Sequence, residues 1–509
     1  MMETGTWFSN PTALGVWDYG VLFAFLASMF GLGYWHGRKE ENTADFFLGR
    51  RSIPWWAACM SFVATEISAM TIIGVPATAF RENWNYAQFF VGSAASRVVI
   101  AFLFIPAFYH FNCTTIYEFL KHRFGAQTQY AATGFFFVTR VLASSVRLMA
   151  ACVAVAVLIG WDKVPVIALF VVVGALYIGH GGIKAVIWTN VVQVVAFMAA
   201  GLATIAFLLI HIDGGLAAVL SAAESAGKLQ VLNWGPSVSE PGFLRRFFSD
   251  PNIVWVAILN GFFGSMAAFG TDHEMMQRLL TVETRKASQQ TMLLSILGSF
   301  VVLMIFMSVG TGLFVFYQQN PALPLPAGLD KIYPHFTTNV MPSVMRGLVL
   351  AAVVLASIDS PLSSLTASFV TDLYKPLIKT DGDEAHYLRV SRVCICAFAV
   401  LLGVLAYVFS HVDKMLWVAF KIGGVTYGSL LGVFLLGLLT KRHANRANIA
   451  AMTSMALING VLLYLSEIKV FPLGWSWLVI LGTFGTFGLA WVLGPVLDRD
   501  QSKPKPAAA

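Results

Sequence analysis

The feature that most constrains this chain is a succession of apolar runs of about 20 residues, each long enough to cross a bilayer as a helix. The runs fall near 17–35, 55–80, 86–109, 127–157, 162–179, 185–210, 251–271, 290–318, 342–374, 387–410, 414–438, 447–465 and 471–497. No polar stretch between them exceeds roughly 40 residues, so one membrane domain is more economical than several soluble ones. Of 509 residues, 57% are hydrophobic and 12% charged, about half the charged share of a soluble protein. The spacing predicts an all-α polytopic membrane protein with about thirteen transmembrane helices.

An odd number of spans puts the termini on opposite sides. Arg50, Arg51, Lys121, Arg123, Arg285, Lys286, Lys441 and Arg442 fall in loops on one side, and fewer cations, including Arg81, Lys163, Lys228, Arg245 and Arg246, on the other. The positive-inside rule then places the N-terminus outside and the C-terminus in the cytoplasm of a cell (inner or plasma) membrane. The net charge of +7 is spread through short loops with no basic helix, which argues for topology and against a nucleic-acid partner. Cys59, Cys113, Cys152, Cys394 and Cys396 lie mostly in apolar surroundings and read as small hydrophobes. The run after Trp17 has no small-residue cleavage site behind it and reads as a retained helix.

The span at 55–80 is interrupted by Thr65, Glu66, Ser68 and Thr71, with Gly74 and Pro76 beyond. A carboxylate there costs at least ~2.5 kcal/mol and calls for a partner or a watery cavity. The expected structure is a helix that breaks at mid-membrane and offers backbone groups to an ion or a solute. Gly261 and Gly264 suggest a matching break in 251–271. Arg97, Arg140, Arg147, Asp359 and Lys421 are further charges inside spans, Asp272 and Glu274 lie near a span end, and Arg346 lies at a boundary where it can snorkel. Mutual pairing is the plain structural reading for such charges. Asp359 stands among Ser357, Ser360, Ser363, Ser364, Thr366 and Ser368. Small hydroxyl residues suit tight helix packing, but with a carboxylate they also make a hard-oxygen environment for sodium or a proton. Thr189, Asn190 and Gln193 form a third polar face, just after the glycine-rich turn that holds Lys184.

Three motifs, FFLGRRSIPWWAACMSFVATEISAMTIIGVPATAF (46–80), GGIKAVIWTNVVQ (181–193) and ASIDSPLSSLTASFVTDLY (356–374), carry a resemblance to the sodium/solute symporter family. FGTDHEMMQRLL (269–280) and YGSLLGVFLLGLLTKR (427–442) support it more weakly, in family order. The resemblance implies two inverted five-helix repeats, spans two to eleven, with one leading and two trailing helices. The segments are then 1–54 (leading helix and cytoplasmic loop), 55–210 and 251–438 (the repeats), 211–250 (an extracellular loop with a short surface helix or lid), 439–497 (trailing helices) and 498–509 (a disordered tail).

The resemblance also implies a sodium site of backbone carbonyls from Ala64, Ile67, Val353 and Ala356 with the Ser357 hydroxyl. The family usually has two adjacent hydroxyls at the last two positions; here Ala356 replaces one of them. A second sodium in some members uses a carboxylate where this chain has Asn190, so Asp359 is the expected replacement charge, with Ser360. Family solute contacts correspond to Glu66, Ser68, Met70, Thr71, Phe90, Arg147, Phe269 and Lys421. Glu66 is expected either to hold sugar hydroxyls or to pair with Arg147 or Lys421, and Phe269 to stack on a ring as an inner gate.

The implied activity is sodium-coupled import of a small polar solute by alternating access. A sugar or acidic sugar comes first, and an amino acid or carboxylate is the alternative. Each sodium moving down 100 mV supplies ~2.3 kcal/mol. The chain is expected to be no enzyme, to need only Na+, its solute and membrane lipid, and to work as a monomer; a transporter-fold sensor is the remote alternative.

Overall fold

The computed structural model describes residues 14–37, 41–159, 161–326, 328, 331–358, 361–411 and 415–498; the side chains of residues 69, 70, 154, 157, 158, 180, 357, 358 and 415–422 stand outside that description. Among the described residues the secondary structure is helical, without a strand. The chain runs α1 (Val16–His36), α2 (Thr43–Leu48), α3 (Trp55–Glu66), α4 (Ala69–Arg81), α5 (Ala87–Val99), α6 (Ile105–His110), α7 (Ile116–Arg123), α8 (Ala126–Ile159) and α9 (Lys163–His211). It continues through α10 (Gly215–Ser225), α11 (Phe243–Ser249), α12 (Val254–Gly270), α13 (His273–Leu280), α14 (Arg285–Gln319), α15 (Ile332–Asn339) and α16 (Met345–Ile358). It ends with α17 (Leu362–Ser368), α18 (Lys375–Leu377), α19 (Glu384–Phe409), α20 (Met415–Leu439), α21 (Asn445–Glu467) and α22 (Ser476–Leu497).

Among the described residues nine helices are long and apolar enough to cross a membrane, and the bent pair α3–α4 makes ten. Lys163–Gly179, Met345–Ala356 and Gly423–Leu439 are apolar but shorter. Length and composition therefore give fewer certain crossings than the thirteen expected. At 1.5 Å per residue, the 49 residues of α9 would reach roughly 70 Å, twice a bilayer. Gly182, at φ 49° and ψ −150°, breaks it in two; that positive φ suits a residue without a Cβ.

The break expected at Gly261 and Gly264 is absent: α12 is helical from Val254 to Gly270. A Cβ on Gly261 would sit 2.2 Å from the Phe89 carbonyl oxygen, and one on Gly92 would sit 2.0 Å from that of Ile258. These glycines let the backbones of α5 and α12 touch, the ordinary use of small residues between membrane helices. The chain leaves the helix instead at Thr271 and Asp272, before α13.

The leading helix is tied to the start of α16. Arg346 reaches Asp18 rather than snorkelling, with 2.6 Å between its Nη2 and the carboxylate. The amides of Val344 and Gly347 donate to the other Asp18 oxygen. Residues 211–250 carry α10 and α11 and are pinned by Lys228. The Lys228 ammonium donates to the carbonyls of Phe80 (2.7 Å) and Arg81 (3.1 Å) at the end of α4 and lies over the Phe314 ring. Cations are favoured at that helix end.

Candidate functional site

The second span breaks where the sequence placed its polar residues. α3 stops at Glu66, and Ile67 (φ −82°, ψ 124°) and Ser68 (φ −120°, ψ 172°) are extended. Ser68 and Thr71 then form a reciprocal capping box that starts α4, satisfying amides the new helix would otherwise leave open. The two halves are bent by 58°. The Ser68 amide turns to Thr71 Oγ1 (3.4 Å) instead of extending the α3 ladder, so the last turn of α3 presents carbonyls without helical donors.

That last turn is gripped from three directions. From α9, the buried Asn190 donates to Ser61 Oγ (2.9 Å) and Thr65 Oγ1 (3.3 Å). From α8, Arg147 Nη2 donates to the Thr65 carbonyl at 2.9 Å. From α5, Arg97 Nη2 lies 2.5 Å from Glu66 Oε1. Arg97 also donates to Ser295 and Ser299 of α14, each at 3.0 Å, and Ser299 donates to the other Glu66 oxygen. The Arg97 side chain is fully buried while that of Glu66 is 23% exposed. The rings of Phe269 (4.8 Å), Phe62 (5.7 Å) and Phe90 (5.9 Å) surround the guanidinium.

Glu66 therefore takes a cation from Arg97, whereas Arg147, one of the two partners the sequence suggested, reaches the Thr65 carbonyl instead. Arg147 has no ion pair among the described residues. Phe269 packs edge-on against Phe62 at 5.4 Å and over Arg97; in this conformation it lines the ion pair. Phe90 packs on Phe300 and faces the same guanidinium. Ser68 and Thr71 are engaged in the cap of α4.

Ala64 and Ile67 are buried at the break, and Val353 and Ala356 are buried on α16, which packs against α4 and α8. Carbonyls freed where a membrane helix unwinds are neutral oxygens of the kind that suit a monovalent hard cation. The side chains of Met70, Ser357 and Lys421 and the whole of Asp359 and Ser360 lie outside the description, so the hydroxyl and carboxylate of the expected sodium sites do too. Sequence reasoning missed Ser61, Ser295 and Ser299. The pair Ser295 and Ser299 was findable, because i,i+4 spacing puts both on one face of an apolar helix.

A second buried charge cluster lies beyond α12. Arg140 of α8 reaches Asp272 at 2.7 Å and Glu274 at 2.6 Å, and Tyr427 of α20 donates to Asp272 at 2.9 Å. Mutual pairing, the plain reading of Arg140, is what the structure contains.

An all-helical membrane bundle with a helix broken at a polar cluster is the architecture of an ion-coupled carrier. The model of the sodium:solute symporter family matches residues 46–456, and the chain belongs to that family. It is thus a multi-pass plasma-membrane transporter that binds sodium and a solute and couples their movement, not an enzyme. The sodium/sialic acid symporter SiaT of Proteus mirabilis is 28% identical over 455 residues, 87% of this chain and 89% of that one. The sodium-coupled monocarboxylate transporter 1 of Mus musculus is 27% identical, over 86% of this chain and 71% of that one. A solved substrate-bound, outward-open structure of a Na+-coupled sialic acid symporter shares the fold, with TM-score 0.83 at 23% identity over 95% of this chain and 98% of that one.

Proposed function

We propose that the cotransported solute is an acidic sugar of the sialic acid class, bound beside the broken helix with its carboxylate on Arg147. One observation carries this reading: the Glu66 charge is matched by Arg97, so among the described side chains the half-buried Arg147 on the Thr65 carbonyl is left as the cation beside the break. A guanidinium has five N–H donors and holds carboxylates in bidentate fashion. The likeness to sialic acid symporters supports the same class.

In this reading one sodium is held by the carbonyls of Ala64, Ile67, Val353 and Ala356 with Ser357. A second cation lies near Asn190, Asp359 and Ser360, where the carboxylate has changed helices. The N-terminus is outside, the C-terminus is cytoplasmic, and a single chain in lipid, without nucleic acid, is the working unit. Segments 55–210 and 251–438 are its two repeats.

The test is thermal stabilisation of purified protein in sodium chloride against a panel of neutral sugars, acidic sugars, monocarboxylates and amino acids. An acidic sugar should raise the midpoint most, only with sodium present, and Arg147→Gln should remove that increment while keeping the shift due to sodium alone. A neutral sugar or amino acid that stabilises wild type and Arg147→Gln alike would exclude the reading.

A further inference from the structure

We infer that Glu66 is a positioning residue for sodium rather than a ligand for the solute, and that its charge is set against the buried Arg97. The inference rests on the sodium site proposed above and does not depend on which solute is carried. Glu66 stands between Ala64 and Ile67, whose carbonyls flank the break, and both of its oxygens are engaged within the protein, one by Arg97 and one by Ser299. The pair joins the last residue of α3 to α5 and α14, of which α14 packs on both α3 and α5. Asn190 holds the same turn at the Ser61 hydroxyl and Arg147 at the Thr65 carbonyl, so Glu66–Arg97 is the ion pair of that grip.

Electrostatics gives the pair a second effect on sodium. Arg97 is sealed from water by aromatic rings and serines, and among the described residues Glu66 is the carboxylate paired with it. A buried guanidinium keeps its proton under all ordinary conditions. Remove the Glu66 charge and an unscreened cation faces the place where sodium must bind. Between unit charges in the protein interior that repulsion weakens sodium binding by roughly tenfold or more. Removing both charges restores the balance and recovers sodium binding, although neither original side chain remains.

The experiment measures the sodium half-saturation constant of full-length purified protein from its thermal midpoint, titrating sodium chloride against choline chloride at constant ionic strength without solute. A solute titration at saturating sodium follows. Glu66→Gln should raise the sodium constant at least tenfold and leave the solute constant at saturating sodium within about twofold. The double variant Glu66→Gln with Arg97→Gln should return the sodium constant to within about threefold of wild type. A Glu66→Gln protein with an unchanged sodium constant would overturn the inference, whatever happens to the solute. So would a double variant as weak for sodium as the single one. If Glu66→Gln does not accumulate as folded protein, the double variant decides alone: near-wild-type sodium affinity supports charge balance, and a tenfold loss refutes it. Failure of the acidic-sugar reading would show in the solute panel and leave these sodium titrations untouched.

Discussion

Arg140 lies 2.7 Å from Asp272 and 2.6 Å from Glu274, with all three side chains nearly closed to solvent. One guanidinium thus serves two carboxylates contributed by a single turn of chain, and Tyr427 adds a hydrogen bond from a third element. Breaking a buried pair from one side costs about 3–5 kcal/mol, whereas losing one hydrogen bond to a charged group costs about 1.5–3 kcal/mol. Arg140→Gln should therefore lower the thermal midpoint of the purified protein much more than Tyr427→Phe. Equal shifts would mean the carboxylates find another cation.

The leading helix should be held by charge as well as by apolar contact. Asp18→Asn keeps an acceptor for the amides of Val344 and Gly347 but gives up the pairing with Arg346. The half-buried pair should be worth about 1–3 kcal/mol. A double-mutant cycle of Asp18→Asn with Arg346→Gln, read as thermal midpoints, should show a coupling of that size. Additive effects would show that the two residues act independently.

Two glycines of α12 make opposite forecasts. Gly261→Ala would press a methyl into the Phe89 carbonyl, whereas at Gly264 the nearest outside atom is Asn260 Oδ1 at 3.5 Å. Overpacking costs about 1–3 kcal/mol, while Gly→Ala in an uncrowded helix gains about 0.5–1 kcal/mol. Gly261→Ala should lower the melting midpoint and Gly264→Ala hold or raise it. The reverse order would mean that α5 and α12 are not in backbone contact.

The short loop before the broken helix carries a pH-dependent clasp. Burial would raise the Asp45 carboxyl, but its hydrogen bond to Arg50 and the Glu41 amide bring it below the usual 3.8. A carboxylate with a lowered folded value stabilises above its unfolded value and loses that contribution as pH falls through the folded one. The exchange protection of residues 41–53, taken relative to the intrinsic amide rate at each pH, should be flat above about pH 4 and fall below 3.8, a step that Asp45→Asn removes. Because Arg50 is 47% exposed, solvent screening keeps the effect small. A step persisting in Asp45→Asn would assign it to another acid.

How far the sequence reached is clearest along 55–80. Thr65, Glu66 and Ser68 in an apolar run showed both that the helix breaks and where, because break and residues are local to one another. The partner of Glu66 was not legible. Arg97, Arg140 and Arg147 all lie in spans, and which one meets the carboxylate depends on how each helix is rotated in the bundle. Gly261 failed for a related reason. A glycine in a membrane helix marks either a break or a close neighbour, and only the position of Phe89 decides between them. Arg346 read as a boundary cation because its partner Asp18 is 328 residues away in the chain.

The most direct test of the account is uptake of a radiolabelled sialic acid into proteoliposomes of the purified protein under an inward sodium gradient. The account predicts accumulation above the outside concentration that collapses when sodium is replaced by choline and is lost in Arg147→Gln. Accumulation that is indifferent to sodium, or that survives Arg147→Gln at the wild-type rate and half-saturation, would contradict it.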